Sequence, residues 1–296
     1  MRIGIDVGHA RVDAMALDEV GRELVRRTVP TREEDYDAAL GAVIGLVRAV
    51  EEELGVHGTV GVAIPGTVSP TTGLVQNAPE SGLCGHPLKG DLTDRLERTV
   101  RMASDAGCLA LSEARDGAGL GKRVVFGALL GRGCRGGLVV DGQLVVGPNA
   151  IAGEWGHNPV PWPEEDEWPG LRCACGRRGC LDAFLSERGL CHDHRERTGV
   201  SLEAAQIVAR AEAGNPAAEA TLARYERRLS RALAAVVNIV DPDVIVLGGS
   251  LASASRLSEE VSQLWGRFAF SERLVNCLRV PRYGCLSSLR GAAWLW

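Results

Sequence analysis

The segment "GEWGHNPVPWPEEDEWPGLRCACGRRGCLDAFLS" places His157 ahead of three closely spaced cysteines, Cys173, Cys175 and Cys180. One imidazole and three thiolates are the donor set of a closed tetrahedral zinc site, so the chain must fold to bring residue 157 and residues 173 to 180 to one point. Gly176 and Gly179 let the backbone turn sharply between the ligands. Four protein ligands leave the metal no open position. The Zn2+ is therefore expected to be structural rather than catalytic.

The other six cysteines, Cys84, Cys108, Cys134, Cys191, Cys277 and Cys285, are unevenly spaced and are read as small buried apolar residues, not disulfides. No secretory segment precedes the first strand, and no apolar run reaches the roughly 18 residues of a membrane span. A cytoplasmic protein without a membrane partner is expected. The net charge of −5 and the scattered basic residues give no basic stripe, which argues against nucleic acid as a partner. A chain of 296 residues can bury one large core or two lobes, two being commoner at this length.

"MRIGIDV", "VDAMALDE" and "RELVRRTVP" read as an antiparallel meander. In "EEDYDAALGAVIGLVRAVEEELG", Leu40, Val43, Ile44, Val47, Val50 and Leu54 share one helical face, and Gly55 ends the helix. "GTVGVAIPG" is a buried strand, "GDLTDRLERT" a helix, and "VRMASD" a strand ending at Asp105. "VVFGALLG" and "GGLVVDGQLVVG" form a hairpin region, with Asp141 and Gly142 as a tight turn. Asn215 and Pro216 cap a long helix whose Leu222, Tyr225, Leu229, Leu233 and Val237 recur at helical spacing, and Asp241 and Pro242 stop it before the strand "VIVLGG". Strand and helix alternate as in α/β architecture, and ligands of open α/β sheets bind at the C-terminal ends of strands.

With the zinc segment in view, the chain resembles the repressor, open reading frame and kinase (ROK) family, whose signature is G-E-x-G-H followed by C-x-C-G-x-x-G-C-x-E. "GVAIPGTVSPTTGLVQNA", "PLKGDLTDRL", "NIVDPDVIVLGGSL" and "RGAAWLW" extend the resemblance over essentially the whole chain, nearest to the fructokinase and mannokinase branch. No DNA-binding helix-turn-helix precedes the first strand, which argues against the repressor members. The resemblance implies an α/β, two-lobed actin-like ATPase (ribonuclease H-like) fold of the sugar kinase type. Residues 1–107 would form the N-terminal lobe, 108–286 the C-terminal lobe, and 287–296 a terminal helix packing back on the first.

The implied activity is transfer of the γ-phosphate of MgATP to a hexose hydroxyl, the sugar being of fructose, mannose or glucose type. Carried over by position, Asp105 matches the general base. Asn77, Glu154, His157 and Asp182 match sugar-binding residues, Asp182 standing where the family has a glutamate. His157 would serve metal and sugar through its two nitrogens, so that zinc orders the sugar site from behind. Asp6, Gly8 and His9 fall in the first phosphate loop, where the acid helps position Mg2+. Gly131, Gly133, Gly136 and Gly137 match the second loop, and Gly248 and Gly249 the adenosine segment. Trp155, Trp162 and Trp168 surround the metal loop and are read as lining the sugar site or a subunit interface; the family resemblance implies a homodimer.

Several loops depart from the family pattern. D-x-G-G-T is replaced by Asp6, Val7, Gly8, His9 and Ala10, which adds a ring and removes a hydroxyl donor. One lost hydrogen bond to a charged group is worth roughly 1.5–3 kcal/mol, enough to weaken ATP binding without abolishing it. N-D-A-N becomes Ser104, Asp105, Ala106 and Gly107; N-A-N becomes Asn77, Ala78 and Pro79; the hairpin threonine becomes Arg132; and the tail G-D becomes Gly284 and Cys285. Two functional readings follow. One is an active hexose kinase in which Arg132 or Arg135 restores the lost charge; the other is a catalytically impaired family member that keeps sugar binding or a scaffold role.

Overall fold

The computed structural model describes residues 1–32, 35–78, 81–253 and 255–296; Pro79 of the sugar loop lies outside them. The chain forms two compact units. The first comprises Met1–Gly121, Gly137–Gly153 and Leu286–Trp296, the second Lys122–Gly136 and Glu154–Cys285.

In the first unit β1 (Arg2–Val7), β2 (Arg11–Leu17) and β3 (Glu23–Pro30) form the meander, followed by α1 (Tyr36–Leu54) and β4 (Thr59–Ile64). The short strands β5 (Thr67–Val68) and β6 (Val75–Gln76) pair with each other, and α2 (Leu88–Leu96), β7 (Val100–Ser104) and α3 (Asp105–Arg115) follow. The sheet order is β3-β2-β1-β4-β7. The meander pairs antiparallel, while β1, β4 and β7 run parallel. Central β4 is almost wholly buried, as expected of a strand covered on both faces, whereas edge strand β3 carries exposed Arg26 and Arg27, which discourage edge pairing.

Helix α1 begins where the Asp35 carboxylate accepts the Ala38 N–H at 2.9 Å and ends on left-handed Gly55. Its Leu40, Val43, Val47 and Val50 join the core, with Ile44 and Leu54 partly buried against it. Glu51 is buried at the foot of that face. It accepts Arg98 at 2.6 and 2.9 Å and the Gly58 N–H at 2.9 Å. Burial raises its pKa, but Arg98, Gly58 and His57 outweigh this and pull it from 4.5 to about 2. A depressed carboxylate stabilises the fold above its unfolded pKa, and the contribution disappears as the pH falls through the folded value. The melting temperature of the wild type is therefore expected to fall more steeply between pH 4.5 and about 2 than that of Glu51→Gln, measured by calorimetry; parallel curves would show that the carboxylate is not so held.

In the second unit β8 (Val124–Leu130) leads to β9 (Cys134–Val140), within which the chain passes into the first unit, and then to β10 (Gln143–Leu144). Asp141 and Gly142, at φ 50° and 71°, make the expected tight turn between β9 and β10. After the zinc segment come α4 (Leu181–Leu185), α5 (Glu187–Thr198), α6 (Ala204–Glu212), α7 (Pro216–Val240), β11 (Val244–Gly248), α8 (Ser255–Leu264) and β12 (Cys277–Arg279). The second sheet has the order β10-β9-β8-β11-β12, with β11 parallel to β8 and β12. Asn215 caps α7 by accepting the Ala218 N–H at 3.1 Å, and its predicted apolar face is buried. Among the described residues no helix is long and apolar enough to cross a membrane.

The last helix, α9 (Ser287–Ala293), returns to the first unit. A Cβ on Gly61 of β4 would overlap the Ala292 carbonyl, and one on Gly291 would overlap that of Cys108 in α3, so glycine permits this backbone approach on both sides of α9. All of α3 belongs to the first unit, and a boundary after residue 107 would cut that helix. Residues 137–153 join it too, because the β9 backbone at Gly137 lies directly against Ala106 and Gly107. The strand expected to end at Asp105 stops at Ser104, since Ser104 caps α3 by accepting the Gly107 N–H at 3.0 Å and Asp105 is the first helical residue. Of the six cysteines read as buried, Cys108 and Cys134 are; Cys191 and Cys277 are half-buried, and Cys84, on a loop, and Cys285, in the 3-10 turn before α9, are exposed.

Candidate active site and metal centre

In the second unit the ligand atoms of His157, Cys173, Cys175 and Cys180 all lie within 4.8 Å of one another. His157 Nδ1 is 3.4 Å from Cys173 Sγ, and the sulfurs of Cys175 and Cys180 are 3.6 Å apart. Zinc–sulfur bonds of about 2.3 Å at tetrahedral angles put neighbouring sulfurs about 3.8 Å apart, so the residues present fit a zinc ion. The backbone forms the turn: the Gly176 N–H donates to the Cys173 carbonyl at 3.0 Å and the Cys173 N–H to the Arg177 carbonyl at 2.8 Å, with Gly176 at φ 87°. Bridges Pro159–Cys180 and Arg172–Arg178 close the loop. Burial, then the neighbouring Cys175 and Cys173, push the Cys180 thiol up to about 12, a mutual penalty that a divalent cation removes by binding the thiolates.

The loop between His157 and Cys173 is anchored by a buried ion network that the sequence reading passed over. Glu167 accepts Arg231 Nη2 at 2.6 and 2.8 Å and Arg228 Nε at 2.8 Å, while Arg228 and Arg224 also bind Asp193. Burial opposes ionisation of Glu167, but Arg231, a backbone N–H and Arg228 hold its carboxyl below the usual range. The legible signal was a pair of arginines, Arg228 and Arg231, on the apolar stripe of α7. Buried guanidinium groups require carboxylate partners. Of the three tryptophans near this loop, Trp155 is buried edge-on against Phe126 at 5.6 Å, Trp162 stacks on Phe268, and Trp168 is 76% exposed.

Asp182 enters the same unit from the first turn of α4. Its buried Oδ1 accepts the Cys134 N–H at 2.8 Å; its Oδ2 is 3.6 Å from Arg188 Nη2 and 3.9 Å from Cys173 Sγ. It thus ties the metal loop to the glycine-rich hairpin. In that hairpin the Gly131 N–H donates to the Gly133 carbonyl at 3.1 Å, the Gly131 carbonyl accepts the Glu187 N–H at 2.7 Å, and Gly136 is buried. Glu154 Oε1 accepts the Gly156 N–H at 2.9 Å. A Cβ on Gly156 would overlap the Cys134 carbonyl, so glycine is needed between Glu154 and His157 for the loop to touch the hairpin. Gly248 ends β11 opposite Leu129, and Gly249, at φ 93°, lies against the Leu130 backbone. Ser250 just beyond hydrogen-bonds Glu187.

In the first unit Asp6, next to last in β1, pairs with Ala63 of β4, and the Gly8 N–H donates to the Arg11 carbonyl at 3.0 Å, turning the chain through His9 and Ala10. Half-buried Asp105 accepts the Ala106 N–H on Oδ1 at 2.7 Å. Burial first, then the charges of Asp6 and Asp105, push the Cys108 thiol in α3 well up. Asn77 is exposed and left-handed at φ 61°, a conformation asparagine tolerates better than most residues. Sequence reasoning missed the support of α3. Ser288 Oγ donates to the Asp105 carbonyl at 3.0 Å, and buried Glu113 accepts Ser287 Oγ and the Ala118 N–H, each at 2.7 Å. A glutamate on the otherwise apolar face of "CLALSEAR" was the available sign.

Two units, each a mixed sheet flanked by helices, with acids and glycines at the C-terminal ends of their strands, define an α/β protein of the actin-like ATPase (ribonuclease H-like) class. The structure of the ROK hexokinase from Thermus thermophilus superposes with a TM-score of 0.87 at 28% identity, covering 99% of this chain and 96% of that one. A ROK family glucokinase from Streptomyces griseus, solved with glucose and AMPPNP, gives 0.84 at 26% identity, covering 99% and 98%. The ROK family matches residues 2–296, and this chain belongs to it. In sequence it is 34% identical over 299 aligned positions to the N-acetyl-D-glucosamine kinase of Salmonella paratyphi B, covering 100% of this chain and 99% of the relative.

Proposed function

We propose that this protein is an ATP-dependent sugar kinase that transfers the γ-phosphate of MgATP to a hydroxyl of N-acetyl-D-glucosamine. The end-to-end similarity to N-acetyl-D-glucosamine kinases, 34% identity over 299 positions, carries this reading and supports an N-acetylated hexose beside the fructose, mannose or glucose expected from the sequence. Asp105 is the base that takes the hydroxyl proton as the oxygen attacks phosphorus. Its place at the start of α3, where Oδ1 accepts the Ala106 N–H, holds the carboxylate in a fixed position. Asn77, Glu154 and His157 orient the sugar. Asp182 supports the hairpin from inside, through Cys134, in keeping with its buried hydrogen bond. Asp6 would hold Mg2+, which neutralises phosphate charge when bound, and Gly8, His9, Gly131, Gly133, Gly136, Gly248 and Gly249 contact nucleotide.

Zinc, held by His157, Cys173, Cys175 and Cys180, braces the loop that carries Glu154 and His157. A second reading, sugar binding without turnover, draws on His9 and Ala10 in the phosphate loop and on the inward engagement of Asp182. One assay separates the two. ADP release with N-acetyl-D-glucosamine, glucose, mannose and fructose is expected to show the highest kcat/KM for the first. Higher kcat/KM for fructose or mannose would overturn the sugar assignment, and saturable sugar binding with no ADP release would leave the second reading.

A further inference from the structure

In the second unit three segments meet at one carboxylate. The Glu187 N–H, at the start of α5, donates to the Gly131 carbonyl of the hairpin at 2.7 Å, and the Glu187 side chain accepts Ser250 Oγ on Oε1. Ser250 Oγ also lies 3.3 Å from where a Cβ on Gly131 would stand, and Gly249 before it is pressed on the Leu130 backbone, so the hairpin and the segment after β11 touch each other as well as Glu187. The glutamate is firmly placed. Ser186 caps α5 by accepting the Gly189 N–H at 3.2 Å, and a Cβ on Gly189 would overlap the Phe184 backbone. Glu187 is half-buried, yet among the described residues its Oε2 has no hydrogen-bond partner and its carboxylate no ion pair. An acid in the first turn of a helix is favoured by the helix dipole, but that preference is met in solvent and requires no contact with residues 131 and 250.

From this junction we propose that Glu187 binds the ribose of the nucleotide, its carboxylate accepting the 2′- or 3′-hydroxyl, and so sets a preference for ribonucleotides over deoxyribonucleotides. The proposal rests on the nucleotide-binding reading of Gly131, Gly133, Gly248 and Gly249. Ribose is the part of ATP that joins phosphate to adenine. Glu187 in turn joins the hairpin read as holding phosphate to the segment read as holding adenosine. Chemistry narrows the choice further. A carboxylate has about four acceptor positions and no donor, and Ser250 occupies one of them. Phosphate oxygens are negative and would be repelled, whereas the ribose diol offers two donors. Carboxylates hold ribose hydroxyls in the same way in dinucleotide-binding α/β folds.

The test compares ATP, 2′-deoxy-ATP, 3′-deoxy-ATP and inosine triphosphate in the wild type, Glu187→Gln and Glu187→Ala. The readouts are kcat/KM for nucleoside diphosphate release and, independently of turnover, calorimetric binding of each nucleotide. A hydrogen bond to a charged acceptor is worth about 10–100-fold, so at least one deoxy analogue should fall below ATP by that factor in the wild type. In Glu187→Ala the same analogue and ATP should agree within about threefold, with KM for the sugar changed less than about twofold. Glu187→Gln keeps the size and an acceptor oxygen without the charge; it should be intermediate, and it carries the comparison if Glu187→Ala does not fold. Equal use of ATP and both deoxy analogues by the wild type, or a preference undiminished in the variants, overturns the proposal. Variants that instead lose discrimination against inosine triphosphate would place the carboxylate at the adenine amino group and overturn it too. A ribose preference in binding that Glu187→Ala abolishes, with no diphosphate released by any of the proteins, would retain the ribose site while the kinase reading failed.

Discussion

Asp105→Asn is expected to lower kcat about 10²–10⁴-fold while leaving KM for both substrates and the melting temperature nearly unchanged, the range that removal of a general base produces. Asparagine keeps the size of the side chain and can still accept the Ala106 N–H through its amide oxygen, so α3 should keep its first turn, capped separately by Ser104. What is lost is the negative charge that accepts the proton. Steady-state ADP release with N-acetyl-D-glucosamine, beside calorimetry of both proteins, measures this. Equal rates in wild type and variant would remove Asp105 from the chemistry. A large fall in melting temperature would mean that the aspartate is needed for the fold instead.

Cys180→Ser should release the metal and lower the melting temperature by on the order of 10 °C, since a ligand set costing even about 4 kcal/mol shifts a domain of this size by roughly 2–4 °C per kcal/mol. The magnitude is large because the metal joins His157 to the Cys173–Cys180 turn, a link that the Glu167 ion network, which anchors the stretch between them, does not supply. Cys175 is exposed, and the turn itself is held by short-range backbone hydrogen bonds and two short bridges. Elemental analysis should find about one zinc per chain in wild type purified without added metal. Prolonged chelation should reproduce the variant's melting curve. Wild type free of zinc, with an unchanged curve after chelation, would reject the site.

These two predictions differ in how far the sequence alone supports them. The three cysteines lie within one short loop, so their convergence needs only local turns, and the pattern of "CACGRRGC" suffices to propose it. Asp105 is legible only through family resemblance, because an aspartate after a strand is as good a helix terminus as a base. The helices and strands that were readable were so for the reason the cysteines were. Asp35 and Gly55 bound α1, and Asn215 and Asp241 bound α7, through hydrogen bonds within a few residues of each partner. The departures came at long range. Glu113 and Ser287 meet only after α9 returns to α3, and Cys84 and Cys285 are exposed although cysteine as a type favours the interior.

The amino-acid sequence by itself settled what depends on near neighbours: the strands and helices with a clear local pattern, such as β1–β4, α1 and α7, their caps, and the cluster of imidazole and thiolates, while α3 to α6, α8 and β12 carried no pattern that was read. Tertiary structure alone decided which polar groups turn inward, such as the Asp182 carboxylate bonded to Cys134, and that a glycine at residue 107 lets Leu144 approach the first turn of α3. The physical reason is distance along the chain. Local hydrogen bonds and turns carry a residue-by-residue signature, whereas burial and close backbone approach depend on which segment arrives from far away, and one sequence pattern is compatible with several such partners.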